Sequence, residues 1–80
     1  MSGGDKLFNR MKVYRAMKDW TQADLADRAK VTRKTINAVE RGHFVPSTVL
    51  ALRLAKLFDV PVEDLFRLPE DGEEWPRPPV

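Results

Sequence analysis

The stretch from Thr21 to Gly42, TQADLADRAKVTRKTINAVERG, limits the fold more than any other part of the chain. It reads as two short helices joined by a tight turn. Leu25, Ala26 and Ala29 form one narrow apolar face at the helical period, and Ile36 and Val39 form a second, with Val31 just ahead of it. Thr21 and Thr32 stand where a side-chain oxygen can accept an unpaired N–H at a helix start, and Asp24 follows Thr21 by three residues. Gly42 supplies a left-handed stop. Each helix has only one apolar stripe, so the pair must share a core with further elements.

The rest of the chain supplies those elements. A first helix is expected from about Lys6 to Lys18, with Leu7, Met11, Tyr14 and Met17 on the helical period. Trp20 follows in the connection, where its ring can cover the core. The second helix spans about Gln22 to Ala29 and the third about Arg33 to Arg41. Ser47 caps a fourth, about Thr48 to Phe58, whose apolar face is Leu50, Leu54, Leu57 and Phe58. Pro61 fits the first turn of a short fifth helix, with Glu63 and Asp64 at its positive end and Leu65 and Phe66 on its buried side. No strand-like alternation persists and no repeat is visible. The expectation is an all-α domain of five short helices over residues 6–68, a flexible start at 1–5 and a tail at 69–80. The tail, PEDGEEWPRPPV, is acidic and Pro-rich. It reads as a solvated segment, or as one whose Trp75 docks on the domain or on a partner subunit.

Eighty residues make one small domain with a modest core. There is no cysteine and a single histidine, so no metal site or cofactor is expected. No apolar run approaches bilayer length and the N-terminus lacks a signal-like apolar region, which makes a soluble cytoplasmic protein the expectation. The net charge of +2 hides an asymmetry. Residues 1–58 carry twelve Lys/Arg against five acids, whereas residues 59–80 carry two against seven. A basic body fits a polyanion-binding face, although an ordinary charged surface would look similar. An enzyme is not expected. No Ser or Cys stands in a motif with His, no glycine loop suits a phosphate, and Glu73-Glu74 lie in the tail rather than in a cleft.

If Ile36 and Val39 face the core, Thr32, Arg33, Lys34 and Asn37 project from the start of the third helix. A short helix with few acids and several cationic or hydrogen-bonding side chains is what a DNA major groove admits. Arg33 or Lys34 can donate to guanine O6 and N7, and Asn37 can pair with adenine N6 and N7. Gln22 and the free N–H groups at the start of the second helix suit a phosphate. His43 reads as a loop residue or a weak phosphate contact, and Phe44 as core-facing or covering the loop. An exposed helix face that touches nothing is the bland alternative.

Thr21-Gln22, Leu25-Ala26, Val31-Thr32-Arg33, Thr35-Ile36 and Glu40-Arg41-Gly42 together resemble the helix-turn-helix of the Cro/C1-type (XRE-like) regulators. Pro46-Ser47, the run from Leu50 to Phe58 and Val62-Glu63-Asp64-Leu65-Phe66 extend the resemblance, which spans about Asn9 to Phe66. It implies a lambda-repressor-like five-helix domain that binds double-stranded DNA as a transcriptional regulator, a repressor rather than an activator. The family's base-reading positions fall on Thr32, Arg33, Lys34, Asn37 and Ala38. Thr35, Arg41 and the backbone after Gly42 become phosphate candidates by analogy. The resemblance also implies a partly buried ion pair between Arg15 and Glu40, where the residues alone allow two independent surface charges. Lys30 departs from the family, which places glycine in that turn; a lysine with positive φ there costs about 1–2 kcal/mol.

Two copies reading half-sites one turn apart (~34 Å) would give a homodimer. Val62, Leu65 and Phe66, with Val60, Leu68 and Trp75, are the expected dimer surface unless they complete the monomer core. Two other readings use the same residues. In an antitoxin the tail would bind a protein partner, and in an interaction adaptor the helices would have lost DNA.

Overall fold

The computed structural model describes residues 7–69. Five helices follow a two-residue strand: β1 (Phe8–Asn9), α1 (Met11–Met17), α2 (Gln22–Ala29), α3 (Arg33–Glu40), α4 (Thr48–Phe58) and α5 (Val62–Leu65). A second two-residue strand, β2 (Phe66–Arg67), closes the order.

The helix starts are local events. Thr21 and Asp24 form a complete capping box: the Thr21 hydroxyl accepts from Asp24 N–H at 3.0 Å, and the Asp24 carboxylate accepts from Thr21 N–H at 2.9 Å. Thr32 and Ser47 accept from Thr35 and Leu50 N–H in the same way. The helix ends share one device. After α1, α2, α3 and α4, the residue past the last turn takes a left-handed conformation and the next N–H reaches back to a carbonyl five residues earlier. Gly42 does this after α3. Asp19, Lys30 and Asp59 do it without being glycine, at φ of 61°, 62° and 60°. The turn that holds Lys30 is therefore the ordinary one, with a lysine in glycine's place.

The core draws on every helix. Met11, Leu25, Ile36, Leu54 and Leu65 are fully buried, and Tyr14, Ala26, Ala29, Val39, Leu50, Ala55, Phe58 and Phe66 complete the cluster. Each large apolar side chain removed from water contributes about 1.5–3 kcal/mol against the entropy of ordering the chain. Trp20 covers one side of this core, its ring 5.8 Å from Phe58 and under the Arg28 guanidinium at 4.3 Å. Helix α2 packs against both α3 and α4, and α4 also packs against α5.

The structure corrects the reading of the N-terminal segment. The first helix begins at Met11, not near Lys6, because Phe8 and Asn9 pair antiparallel with Arg67 and Phe66. A two-residue ladder carries no alternation to detect, and its partners lie almost the whole domain apart in sequence. Met17 is half exposed, since α1 ends there. Helix α3 ends at Glu40 with Arg41 as its C-cap, and Pro61 is the N-cap of α5 rather than part of its first turn.

The proposed dimer edge is corrected more deeply. Leu65 is fully buried and Phe66 nearly so within a single copy, where both belong to the core cluster. The cause is the β1–β2 ladder, which folds β2 over the domain and turns Phe66 inward. Val62 stays half-buried against the core and Leu68 is exposed. The reading of Trp75 as docked lies outside the described residues.

Candidate nucleic-acid interface

Helix α3 has two faces of opposite character. Ile36 and Val39 are buried. Arg33, Lys34 and Arg41 are exposed, with Asn37 and Ala38 half-exposed between them. Together with His43 these five residues line one open depression. Its lining holds three full positive charges, one amide and no acid, which suits an anionic or hydrogen-bonding ligand edge.

Thr32 is placed differently from the other expected base readers. Its hydroxyl accepts Thr35 N–H at 3.1 Å and lies 3.0 Å from the Thr35 hydroxyl, so both side chains are engaged in capping α3. Neither lines the depression. Gln22 has a partner inside the fold. Its side chain is expected from the sequence to point outward at the start of α2, yet its Nε2 donates to Glu40 Oε1 at 3.1 Å. The pull is that of a carboxylate held close to the α2 N-terminus. Phe44 is half exposed rather than core-facing.

Three attachments hold α3 in place. Arg15 donates Nε to Glu40 Oε2 at 2.7 Å and Nη2 to Glu40 Oε1 at 3.2 Å, while its Nη1 donates to the Trp20 carbonyl at 2.9 Å. The Arg15 and Glu40 side chains are only 16% and 7% exposed, so the pair is partly withdrawn from water. Gln22 adds the second attachment, and Asn9 the third. Asn9 Nδ2 donates to the carbonyls of Val39 and Glu40 at 3.1 and 3.3 Å, and its Oδ1 accepts Met11 N–H at 3.1 Å. One side chain thus starts α1 and satisfies the open carbonyl end of α3.

Sequence reasoning missed Asn9 and Arg10. Arg10 is a buried cation whose Nε and Nη2 donate to the Asp64 carbonyl at 3.2 and 3.1 Å, joining α1 to α5. It also donates to the Tyr14 hydroxyl at 3.3 Å and lies over that ring. An Asn-Arg pair just before an apolar helix was the available signal, since both residue types satisfy backbone groups at element ends. Their partners, 30 and 54 residues away, were not readable.

Among titratable groups near α2, Asp24 is held below the usual carboxylate range. The Thr21 N–H is the main cause, followed by the Thr21 hydroxyl and the charge of Arg28.

Comparison with known proteins agrees with this geometry. Residues 11–65 match the helix-turn-helix family, a span that begins at α1 and ends with α5. An uncharacterized HTH-type transcriptional regulator of Methanocaldococcus jannaschii is 46% identical over 63 residues, covering 79% of this chain and 96% of the relative. The HTH-type regulator YgzD of Bacillus subtilis is 41% identical over 64 residues, covering 80% and 97%. Among solved structures, the restriction-modification controller protein C.AhdI of Aeromonas hydrophila superposes with a TM-score of 0.62 at 30% identity, over 66% of this chain and 80% of that one. The clp gene regulator ClgR of Corynebacterium glutamicum gives 0.63 at 26% identity, over 68% and 57%. The mostly helical, lambda-repressor-like fold, the capped α2–α3 pair and the matched span make this chain a member of the helix-turn-helix family of the Cro/C1 (XRE-like) type.

Proposed function

We propose that this protein is a DNA-binding transcriptional regulator that reads a specific duplex sequence by placing α3 in the major groove. The observation that carries the reading is the division of α3. Arg33, Lys34, Asn37, Ala38 and Arg41 share an open, acid-free face while Ile36 and Val39 anchor the opposite one. Arg33 and Lys34 suit guanine, Asn37 suits adenine, and the Ala38 methyl suits thymine. Arg41 and His43 stand next to them as phosphate contacts, joined by the backbone N–H groups at the start of α2. The members of this family act on DNA rather than as catalysts, and this chain's face is built for binding, not for moving protons or bonds.

We assign it to a homodimer and to repression. An eight-residue helix is about 12 Å long and contacts only a few base pairs. Two of them, ~34 Å apart, would provide the specificity a single one lacks. The part of the expected edge that stays outside the monomer core, Val62 and Leu68, is the surface we give to the partner copy. No helix among the described residues is long and apolar enough to cross a membrane, and we place the protein's action in the cytoplasm, with the DNA.

Selection of bound sequences from a random duplex pool tests the reading. A two-fold-related motif with half-sites about 10–10.5 bp apart is expected. An unenriched pool would refute sequence-specific binding. A single enriched half-site with one-to-one stoichiometry would refute the dimer.

A further inference from the structure

Helix α4 turns Leu50, Leu54, Ala55 and Phe58 into the core. At ~3.6 residues per turn, the arc opposite them carries Val49, Leu52, Arg53 and Lys56. All four are exposed, Val49 at 63% and Leu52 at 54%. Val49 and Leu52 stand three residues apart, so they are neighbours on the helix surface. No acid occurs anywhere along α4. Among the described residues no ion pair engages Arg53 or Lys56. Arg53 Nη1 donates to the Ala29 carbonyl at 3.4 Å, which leaves its charge unmatched. The outward face of α4 is thus a short strip that is both apolar and basic. Single exposed apolar residues are ordinary, but an adjacent pair flanked by unmatched cations suits a partner that is apolar and acidic.

The next helix has that character. The first turn of α5 is acidic, and it sets Val62, half-buried, beside Glu63, whose exposed carboxylate has no ion-pair partner among the described residues. Lys56 stands in the last turn of α4 and Glu63 in the first turn of α5, on either side of the turn at 59–61. One chain therefore carries both halves of a complementary pair, and within a single copy the charges of the two halves do not pair. Such a chain can pair with itself across a two-fold axis. Helix α4 of each copy then meets α5 of the other, and every contact is made twice. A nucleic acid or an anionic lipid would match the cations of α4 but would leave Val62 and Glu63 without a role.

We infer that the outward face of α4 is the surface on which a second copy lays its α5 edge. Val49 and Leu52 cover the partner's Val62, and Arg53 and Lys56 face the partner's Glu63. The inference rests on the homodimer reading, for which it supplies the other half of the contact, and not on α3 as the DNA face. None of the residues that line the α3 depression takes part, so the contact uses nothing that DNA would need. Apolar burial holds the two copies together. The exposed charges add little energy each, but they fix the register and reject a copy in the wrong orientation. A contact of so few side chains makes a weak dimer, and binding to two half-sites on one duplex would complete it.

Sedimentation equilibrium of the full chain without DNA, from micromolar to millimolar protein, tests this. Leu52, Lys56 and Glu63 are all exposed, and circular dichroism checks that each variant keeps its helices. Leu52→Asn should weaken the dimer about 10-fold, since the side chain is lost from both contacts. Lys56→Glu and Glu63→Lys should each weaken it about 10–30-fold at low salt, a difference that should vanish at ~0.5 M salt. The chain carrying both changes should recover to within about 3-fold of the original, because the charges are exchanged rather than opposed. Mixing the two single variants is the sharpest arm. Opposite charges then meet at both contacts, so a heterodimer should form while each variant alone stays monomeric. Variants that remain monomeric on mixing, or a double variant as weak as the single ones, would overturn the α4–α5 contact. A dimer indifferent to Leu52→Asn and Lys56→Glu but dissolved by Leu68→Lys would overturn the placement on α4 and leave the homodimer reading standing. A folded monomer at every concentration, with one-to-one binding on a two-half-site duplex, would overturn both.

Discussion

The Arg15 guanidinium grips the Glu40 carboxylate through two bonds, Nε to Oε2 at 2.7 Å and Nη2 to Oε1 at 3.2 Å, and so ties α1 to the end of α3. Glu40 Oε1 also accepts from Gln22, which brings α1, α2 and α3 to a single carboxylate. The third arm of Arg15 reaches the Trp20 carbonyl in the turn between α1 and α2. Cutting one partner strands the other charge in a partly dry site. Arg15→Met or Glu40→Gln should each destabilise the fold by about 3 kcal/mol, and the double variant should lose less than the sum by about 0.5–3 kcal/mol. Urea unfolding of the four proteins measures this; strictly additive losses would mean that the pair contributes nothing as a pair.

Asn9 should matter as much for rigidity as for stability. Asn9→Ala removes the donor to two carbonyls of α3 and the acceptor for Met11 N–H. A loss of about 1–3 kcal/mol is expected. Hydrogen exchange should accelerate at the start of α1 and the end of α3 more than in α4. Uniform acceleration across all helices would show that Asn9 only supports the fold globally.

On DNA, the reading face and its supports should separate. Arg33→Ala or Asn37→Ala should cost about 1–3 kcal/mol on the selected site and relax preference at one base position. Gln22→Ala should weaken binding more evenly across sequences, because the Gln22 side chain acts through Glu40. If a dimer neutralises ~6–10 phosphates, affinity should fall about 10³–10⁵-fold between 50 and 200 mM salt. Anisotropy titrations on selected and random duplexes check all three, and a flat salt profile would defeat the electrostatic account.

Lys30 occupies a backbone conformation that a side chain disfavours, at φ 62°. Its side chain is exposed, and no core contact is lost on removing it. Lys30→Gly relieves about 1–2 kcal/mol of left-handed strain but returns part of it as unfolded-state freedom. The variant should therefore be more stable by about 0.5–1 kcal/mol, seen as a higher urea midpoint with an unchanged slope. A destabilised variant would mean that the Lys30 side chain has a role in the turn.

The capping box of α2 should give way only in acid. Asp24 is held below its ordinary value of 3.8, chiefly by the Thr21 N–H and then by the Thr21 hydroxyl and Arg28. A depressed carboxyl stabilises the fold above its unfolded pKa, and that support disappears as pH falls through the lower, folded value. A ¹³C NMR titration of the Asp24 carboxyl should show a midpoint below 3.8, moving up in Thr21→Ala. A midpoint at the ordinary value would mean that the box is open in solution.

Much of this molecule is legible in its residues alone. The caps at Thr21, Thr32 and Ser47 and the stop at Gly42 depend on groups within five residues of one another, and local chemistry of that kind is written in the chain itself. The apolar periods that bury Leu25, Ile36 and Leu54 are equally local, and with them come the division of α3 and the identity of its outward residues. Tertiary structure decided whatever depends on partners distant in sequence. It paired Phe8 and Asn9 with Arg67 and Phe66, shortened the first helix, and drew Leu65 and Phe66 into the core instead of leaving them as an exposed edge. It turned Gln22 inward to Glu40, left Phe44 in water and gave Asn9 and Arg10 their partners. A single hydrogen bond across 30 or 54 residues leaves no period and no motif in the sequence, because its geometry exists only once the core has closed around it.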